Sequence, residues 1–332
     1  MSTGGSELLL QEESGPTGIG GVEEERAIAA RSPLELFWRR LRRDKVAMAA
    51  LFFIIFLIVV AILAPLIVKV LGAPDPKTPD RSTLDSFGLP SAAKGGGPGS
   101  EHFFGVDQLG RDVFSRTLYG ARISLTVAFL ATFISVVLGV TLGMVAGYYR
   151  GGTDSILSRI MDIQLAFPVL LLAIGLGAAC SIKGCFGGIL QPGLPVVVFV
   201  IALAQWPYMA RIIRGQTLSL REKEFVEAAR SLGASNKRII FREILPNLVA
   251  PIIVYSTVLI PTNILFETAL SFLGVGVQPP TPSWGAMISE AQSIFDIAWW
   301  FMLFPGLALL FTVLAFNLVG DGLQDALNPR RK

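Results

Sequence analysis

Residues 46–68 read VAMAALFFIIFLIVVAILAPLIV, a run of 23 residues without a charged side chain. The hydrocarbon core of a bilayer is about 30 Å thick, and about 20 apolar residues in an α-helix cross it. This run is therefore long enough for one transmembrane helix. It is too long for the apolar part of a signal peptide, and no small-residue cleavage site follows it, so we expect the helix to be retained.

Further apolar runs follow along the chain, and the overall composition agrees with them. Of 332 residues, 52% are hydrophobic and 16% are charged, and the mean hydropathy is +0.60. A soluble domain contains about 25% charged residues. We therefore predict an all-α integral membrane protein with six transmembrane helices, at 46–68, 123–149, 163–182, 194–210, 247–266 and 297–320. On the second of these, Ser135, Gly139, Gly143 and Gly147 form one stripe of small residues, which indicates a helix–helix interface.

The basic residues are placed asymmetrically. WRRLRRDK (38–45) precedes the first span, NPRRK (328–332) ends the chain, and eight Lys and Arg residues lie between spans four and five. Segments that flank transmembrane helices on the cytoplasmic side carry an excess of Lys and Arg. We therefore expect a multi-pass protein of a bacterial cell (inner) membrane, with both termini in the cytoplasm.

These features divide the chain into regions. Residues 1–30 are rich in Gly, Ser and Glu and are predicted to be a disordered cytoplasmic tail. Residues 31–45 are a basic interfacial segment, which forms either a short helix at the membrane surface or a plain charged anchor. The remaining regions are the first transmembrane helix (46–70), an extracytoplasmic segment (71–122), a core domain with the other five helices (123–325) and a cytoplasmic C-terminus (326–332).

The reactive side chains are too few for most kinds of catalytic or metal site. The chain has two cysteines and one histidine, His102, whereas a zinc site needs about four ligands. We predict no catalytic residues and no metal, and we expect His102 to be an ordinary loop residue. The net charge of +3 is too small to indicate nucleic-acid binding. Cys180 and Cys185, at the outer end of span three, form either a disulfide, which an oxidising exterior favours, or two free thiols.

The loop over 215–246 is the most informative segment. Residues 221–247 read REKEFVEAARSLGASNKRIIFREILPN. We predict a helix from Glu222 to Leu232, which Gly233 ends in a left-handed conformation. Ser235 then caps a second helix.

The first of these helices has the composition of a docking surface. Ala228 and Ala229 leave a low surface beside the charge of Glu227, and Phe225, Leu232 and Ile240 offer apolar contact. A solvated basic loop is the alternative.

The segment EAARSLG (227–233), followed by ILP (244–246), resembles the E-A-A-x-x-x-G motif of binding-protein-dependent ABC importer permeases. In that family this loop is the coupling helix, which docks into a groove on a cytosolic ATPase. Glu227, Ala228, Ala229 and Gly233 match the motif. Glu243 departs from it, because the family usually has isoleucine there. The resemblance implies the type I ABC importer permease fold.

Three further segments resemble the second permease subunit of dipeptide and oligopeptide importers. They are HFFGVDQLGRDVFSRTLYGARISL (102–125), ETALSFLGVGVQPPTPSWG (267–285) and FNLVGDGLQDALNPR (316–330). The resemblance implies a second permease, two cytosolic ATPase domains and an extracytoplasmic peptide-binding protein as partners. It also implies that ATP and Mg bind the ATPases, that this chain binds no cofactor, and that it is not an enzyme.

Several polar residues allow two interpretations. Glu267 and Asn263 lie in span five and are candidates for the substrate path or gate, because ionisable groups in a membrane are commonly functional. Alternatively, Glu267 pairs with Arg111 or Arg122 and holds the gate region together. Asp107, Arg111 and Asp112 either fold the outer segment or contact the binding protein.

Other functions remain open from the sequence. The same architecture could import nickel or another small solute. A secondary transporter would need internal repeats and charges at the midplane of the membrane, and neither is evident. A membrane enzyme would need a catalytic cluster, for which the sequence offers no candidate.

Overall fold

The computed structural model describes residues 33–180 and 182–327, and α-helices joined by turns and short 3₁₀ segments make up this part of the chain. The predicted all-α fold class is confirmed. The predicted tail over residues 1–30 lies outside the described residues, as do residues 328–332 of the predicted C-terminus.

Five helical stretches are long and apolar enough to cross a membrane, and a bent pair makes a sixth if it crosses as one span. A π-helical segment, Ile239–Ile244, joins α8 to α9 without a break. The helices in chain order are α1 (Pro33–Arg43), α2 (Lys45–Val70), α3 (Val113–Tyr149), α4 (Gly151–Ala166), α5 (Val169–Cys180), α6 (Leu194–Arg221), α7 (Glu224–Ser231), α8 (Asn236–Arg238), α9 (Leu245–Phe272), α10 (Trp284–Ala291) and α11 (Trp299–Leu327).

The third predicted span is not one straight helix. The sequence indicated a single helix over 163–182 with a bend at Pro168, but the chain forms two helices, α4 and α5, whose axes meet at 88°. Phe167, which precedes Pro168, has extended backbone angles of φ −81° and ψ 140°. Proline clashes with a helical residue directly before it and has no amide hydrogen to donate. Pro168 therefore breaks the helix, and the single-helix prediction was wrong.

The other spans are also longer than predicted, α3 and α6 by the most, because an apolar run marks the membrane-buried part of a helix and not its ends. α3 begins at Val113 and not at residue 123, so residues 113–122 of the predicted extracytoplasmic segment are helical. The carboxylate of Asp112 accepts a hydrogen bond from the Ser115 amide at 2.7 Å and caps this helix. α6 continues past residue 210 to Arg221 through RIIRGQTLSLR, in which polar residues interrupt the apolar run while Arg, Gln and Leu favour helix.

The small-residue stripe on α3 packs against α6. A Cβ atom on Gly139 would lie 2.6 Å from the Met209 Cβ, and one on Gly143 would lie 2.5 Å from the Ala210 carbonyl oxygen. Only glycine permits such close approach of the two backbones. The helix–helix interface predicted from the stripe therefore lies inside this chain.

The helices form a bundle, and we distinguish its two ends. At one end, which we call the loop end, α3 and α6 end and α9 begins, and α7 and α8 lie beside them. At the far end, residues 71–112 cover the start of α3 together with α10. Two indole hydrogen bonds stabilise this packing. Trp300 donates to the Val106 carbonyl and Trp284 donates to the Thr117 carbonyl, each at 3.0 Å. Apolar side chains such as Phe52, which is 73% exposed, cover the outside of the spans, as expected of a surface in lipid.

Candidate functional site

The loop between α6 and α9 forms a helix, a sharp turn and a second helix. α7 begins two residues later than predicted and ends one residue earlier. Gly233 has a φ of +78°, and its amide donates to the Arg230 carbonyl at 2.9 Å, while the Ala234 amide donates to the Ala229 carbonyl at 3.0 Å. These two bonds define a Schellman motif, which fixes the direction of the chain after a helix. The hydroxyl of Ser235 accepts from the Arg238 amide at 3.4 Å and caps α8, as predicted.

The inner face of the loop is buried against α3 and α6. Val226, Ile239 and Ile244 are each 0% exposed and share a core cluster with side chains at the ends of both spans. Ile240 belongs to this cluster and is 7% exposed, so the expectation that it offers contact to another protein was wrong. The helical period places it on the inward side of the π-helical segment. The loop is therefore fixed to the bundle by apolar packing.

The last turn of α3 clamps the loop at two points. The Tyr148 hydroxyl donates to the Asn236 side-chain oxygen at 2.8 Å, and the Arg221 guanidinium donates to the Tyr148 carbonyl at 2.5 Å. Arg150 forms an ion pair with Glu222 at the start of the loop. Sequence reasoning missed these residues, because each pair is separated by more than 70 positions and no local pattern marks it.

The outer face of the loop carries apolar side chains that are exposed in the structure. Leu232 is 88% exposed and Phe225 is 38% exposed, and Glu227 and Ala228 are exposed beside them. Ala229 differs from the expectation, since it is half-buried and packs against the inner cluster. Large apolar side chains exposed on a rigid element beyond the spans mark an interaction surface. We call Phe225, Glu227, Ala228 and Leu232 the outer face of α7.

Glu267 lies in a closed polar pocket between α9, α3 and α10. Its carboxylate accepts from the hydroxyls of Ser124, at 3.1 Å, and Ser271, at 2.7 Å. The predicted alternative, a pair with Arg111 or Arg122, was wrong. Arg111 is bound to other carboxylates, and Arg122 is exposed on the outside of α3.

Asn263 joins the same two spans one turn away. Its side-chain amide donates to the Thr132 hydroxyl at 2.8 Å, and Asn263 and Glu267 are both 0% exposed. A cavity of about 380 Å³ between α5, α6 and α9 is lined by other residues, among which Gln205, Tyr208, Tyr255 and Thr262 carry polar groups. In this conformation the two residues predicted for the substrate path therefore hold α9 to α3 and do not line that cavity.

Asp107 and Arg111 belong to a buried ion-pair cluster at the far end. The Arg111 guanidinium contacts Asp107 at 2.6 Å and Glu290 at 2.7 Å, and Arg116 contacts Glu290 at 2.9 Å. Asp107 is 0% exposed and Arg111 is 5% exposed. The cluster connects the segment before α3 to α10. Of the two interpretations of Asp107 and Arg111, the burial of these groups supports folding of the outer segment and does not support direct contact with a binding protein.

Asp112 and His102 form a second buried pair beside this cluster. The His102 Nδ1 lies 2.9 Å from the Asp112 carboxylate, and Asp112 is 1% exposed, so it too is unavailable to a binding protein. The interpretation of His102 as an ordinary loop residue was incomplete, since its ring is 3% exposed and has a charged partner. Asp80 lies 3.9 Å from the other ring nitrogen. Hydrogen bonds from the Ser82 hydroxyl and amide lower the pKa of the Asp80 carboxyl below its usual value.

Glu290→Ala is expected to lower the free energy of unfolding by about 3 kcal/mol, because it leaves two buried guanidinium groups with one carboxylate fewer. The exposed Asp296 lies six residues further along the chain, and Asp296→Ala is expected to change stability by less than about 0.5 kcal/mol. Thermal unfolding of the two variants in detergent tests the difference. Equal midpoints would contradict the role that we assign to the cluster.

Cys180 and Cys185 form a disulfide in the structure, with Cα atoms 4.9 Å apart. The bridge closes the turn after α5 at the far end of the bundle. Within residues 33–180 and 182–327, no group of three or more His, Cys, Asp or Glu side chains is arranged to hold a metal ion.

The fold is similar to that of a solved importer. A chain of the MetNI methionine ABC transporter in an inward-facing conformation superposes with a TM-score of 0.54, covering 65% of this chain and 97% of that chain at 19% sequence identity. A second crystal form of the same transporter gives a TM-score of 0.53. At this level of identity the likeness establishes the fold alone.

Sequence comparisons establish the family. Residues 139–332 match the family of binding-protein-dependent transport system inner membrane components, and residues 32–85 match the N-terminal TM domain of oligopeptide transport permease C. The glutathione transport system permease protein GsiD of Escherichia coli O6:K15:H31 is 46% identical over 302 residues, which is 91% of this chain and 92% of that protein. GsiD of Shigella boydii serotype 4 matches equally well. The chain therefore belongs to the inner membrane components of binding-protein-dependent transport systems, the multi-pass permease subunits of ABC importers.

Proposed function

We propose that this chain is one of two permease subunits in an ATP-driven importer of small peptides, and that α7 receives the driving force from a cytosolic ATPase. The observation that carries the proposal is the outer face of α7: an exposed apolar surface on a loop that Tyr148 and the Schellman turn hold rigidly against three spans. A rigid loop moves as one body, so a displacement of α7 reaches α3, α6 and α9 together.

The energy comes from the partners. The sequence contains no G-x-x-x-x-G-K-[ST] phosphate loop, and we assign ATP and Mg to two separate ATPase domains. ATP can drive transport only if it favours one conformation of the permease over the other. The docked α7 provides this bias, because closure of the ATPase pair would move the loop and open the helices toward the far side. The Lys and Arg distribution supports a cytoplasmic loop end and cytoplasmic termini.

The relatives and one cavity support the substrate class that we propose. The relatives are named for glutathione transport, and the family of the N-terminal segment is named for oligopeptide transport. The cavity between α5, α6 and α9 presents Gln205, Tyr208, Tyr255 and Thr262 among apolar side chains. Amide and hydroxyl groups can exchange hydrogen bonds with peptide groups. We propose small peptides, with glutathione as the first to test, delivered by an extracytoplasmic binding protein.

Reconstituted transport tests this proposal. The assembled complex with its binding protein would be placed in proteoliposomes, and uptake of labelled glutathione, a dipeptide and nickel would be measured with ATP and without an ion gradient. We expect uptake of the peptides only, and none when the ATPase carries a variant that cannot hydrolyse ATP. Uptake driven by an ion gradient alone, or transport of nickel but not of peptides, would contradict the proposal.

A further inference from the structure

An apolar groove runs between α2 and α11 at the loop end of the bundle. It encloses about 370 Å³, and only one of its lining residues, Lys45, is charged. Phe53 and Leu314 are typical of the rest. The complete lining is Lys45, Val46, Ala49, Ala50, Phe53, Phe311, Leu314, Ala315 and Leu318.

The helix α1 lies beside the charged end of this groove. Leu41 of α1 is 4% exposed and packs on Ala47 of α2 and Ala326 of α11, so α1 is fixed across the ends of the two helices that form the groove. The Arg42 guanidinium lies over the Trp38 ring, 5.0 Å from its centroid. Both side chains are exposed, as an aromatic ring and a cation at the membrane surface would be.

The charge around this end is positive. Residues 35–45 read ELFWRRLRRDK, with five basic and two acidic residues. The acidic Asp44 is already engaged, because its carboxylate accepts from the amides of Val46 and Ala47, both at 3.0 Å. Asp321 and Asp325 are the acidic residues that α11 contributes to this end, and neither lines the groove. The groove therefore has an apolar body and a cationic mouth.

We propose that this groove binds one anionic phospholipid, with an acyl chain along Phe53 and Leu314 and the phosphate group near Lys45 and Arg42. A zwitterionic lipid would fill the apolar part equally well, but its headgroup carries no net charge to match the cations. Basic sites beside transmembrane helices recognise anionic headgroups in this way. A second groove, of about 320 Å³ between α2 and α3, has Arg122 as its one charged lining residue and serves as an internal comparison.

Lipid titration of the full chain in detergent, followed by native mass spectrometry, tests the proposal. The probes are phosphatidylglycerol and phosphatidylcholine with the same acyl chains. We expect phosphatidylglycerol to bind about 25-fold more tightly. Arg42→Ala with Lys45→Ala should weaken its binding by about 25-fold, roughly fivefold for each cation, and should leave phosphatidylcholine unchanged. The double variant Arg42→Lys with Lys45→Arg retains both positive charges and should retain the preference for phosphatidylglycerol over phosphatidylcholine.

Two further variants separate the headgroup from the groove. Arg122→Ala removes a cation from the other groove and should change phosphatidylglycerol binding by less than about twofold. Ala49→Phe fills the groove without changing charge and should weaken both lipids. The proposal is overturned if the two lipids bind equally, or if the double alanine variant, shown to be folded by its thermal unfolding, keeps its preference. It is also overturned if assembly with the partner subunits removes the bound lipid, because another protein would then occupy the groove.

Discussion

Gly233→Val is expected to reduce ATP-driven uptake by at least about tenfold while the chain still inserts and folds. Gly233 has a φ of +78°, and a β-branched residue is strained there by more than the 1–2 kcal/mol typical of left-handed residues. Nothing lies within 4 Å of an added Cβ, so the effect acts through the backbone and not through a clash. The turn would open, and α7 would lose its fixed direction. A strain of about 1.4 kcal/mol corresponds to a tenfold change in an equilibrium constant, which sets the expected loss of uptake.

The chain provides a matched control for this prediction. Gly72 follows α2 at the far end in the same Schellman arrangement, with a φ of +65° and open space around an added Cβ. The Ala73 amide donates to the Val68 carbonyl at 3.0 Å, as Ala234 donates to Ala229. Gly72→Val should therefore cause similar strain and change uptake by less than about twofold. Similar losses in the two variants would show that strain alone, and not the position in the loop, limits transport.

Ala228→Trp is expected to weaken association with the ATPase by at least about 30-fold. Ala228 is exposed in the middle of the outer face of α7, so the indole is tolerated by the isolated chain but prevents close approach of a partner. Disruption at the centre of an interface costs about 2 kcal/mol or more, which is about 30-fold in affinity. Co-purification of the ATPase with the variant permease in detergent measures the loss.

Ala93→Trp provides the comparison, since Ala93 is also exposed but belongs to the segment at the far end. ATPase recovery with this variant should equal that of the unmodified chain. If Ala228→Trp recovers the ATPase as fully as Ala93→Trp does, α7 is not the docking element. A reduced yield of folded permease would be visible in the thermal unfolding of each variant and would distinguish misfolding from lost association.

The fold was predictable from the sequence where one physical property dominates. A run such as residues 46–68 has no stable place except in lipid, so its helix was found to within a few residues. Helix ends were predicted less well, because polar residues continue α6 beyond the apolar run to Arg221. The break between α4 and α5 depends on Pro168, which a hydropathy pattern does not register.

The candidate site was predictable where its determinants are local. The left-handed Gly233 and the cap at Ser235 follow from residues within a few positions of one another, and the structure has both. The partners of buried charges were not predictable in this way. Glu290 lies 179 positions from Arg111, and Glu267 lies 143 positions from Ser124, so only the folded chain brings them together.

The most direct test of the account is to measure whether the ATPase covers the outer face of α7. A single cysteine at Ala228, in a chain whose native cysteines are replaced, would be labelled with a maleimide in the presence and absence of the ATPase, beside a matched cysteine at Ala93. We expect strong protection of position 228 by the ATPase and none at position 93. Equal labelling of position 228 with and without the ATPase would contradict it.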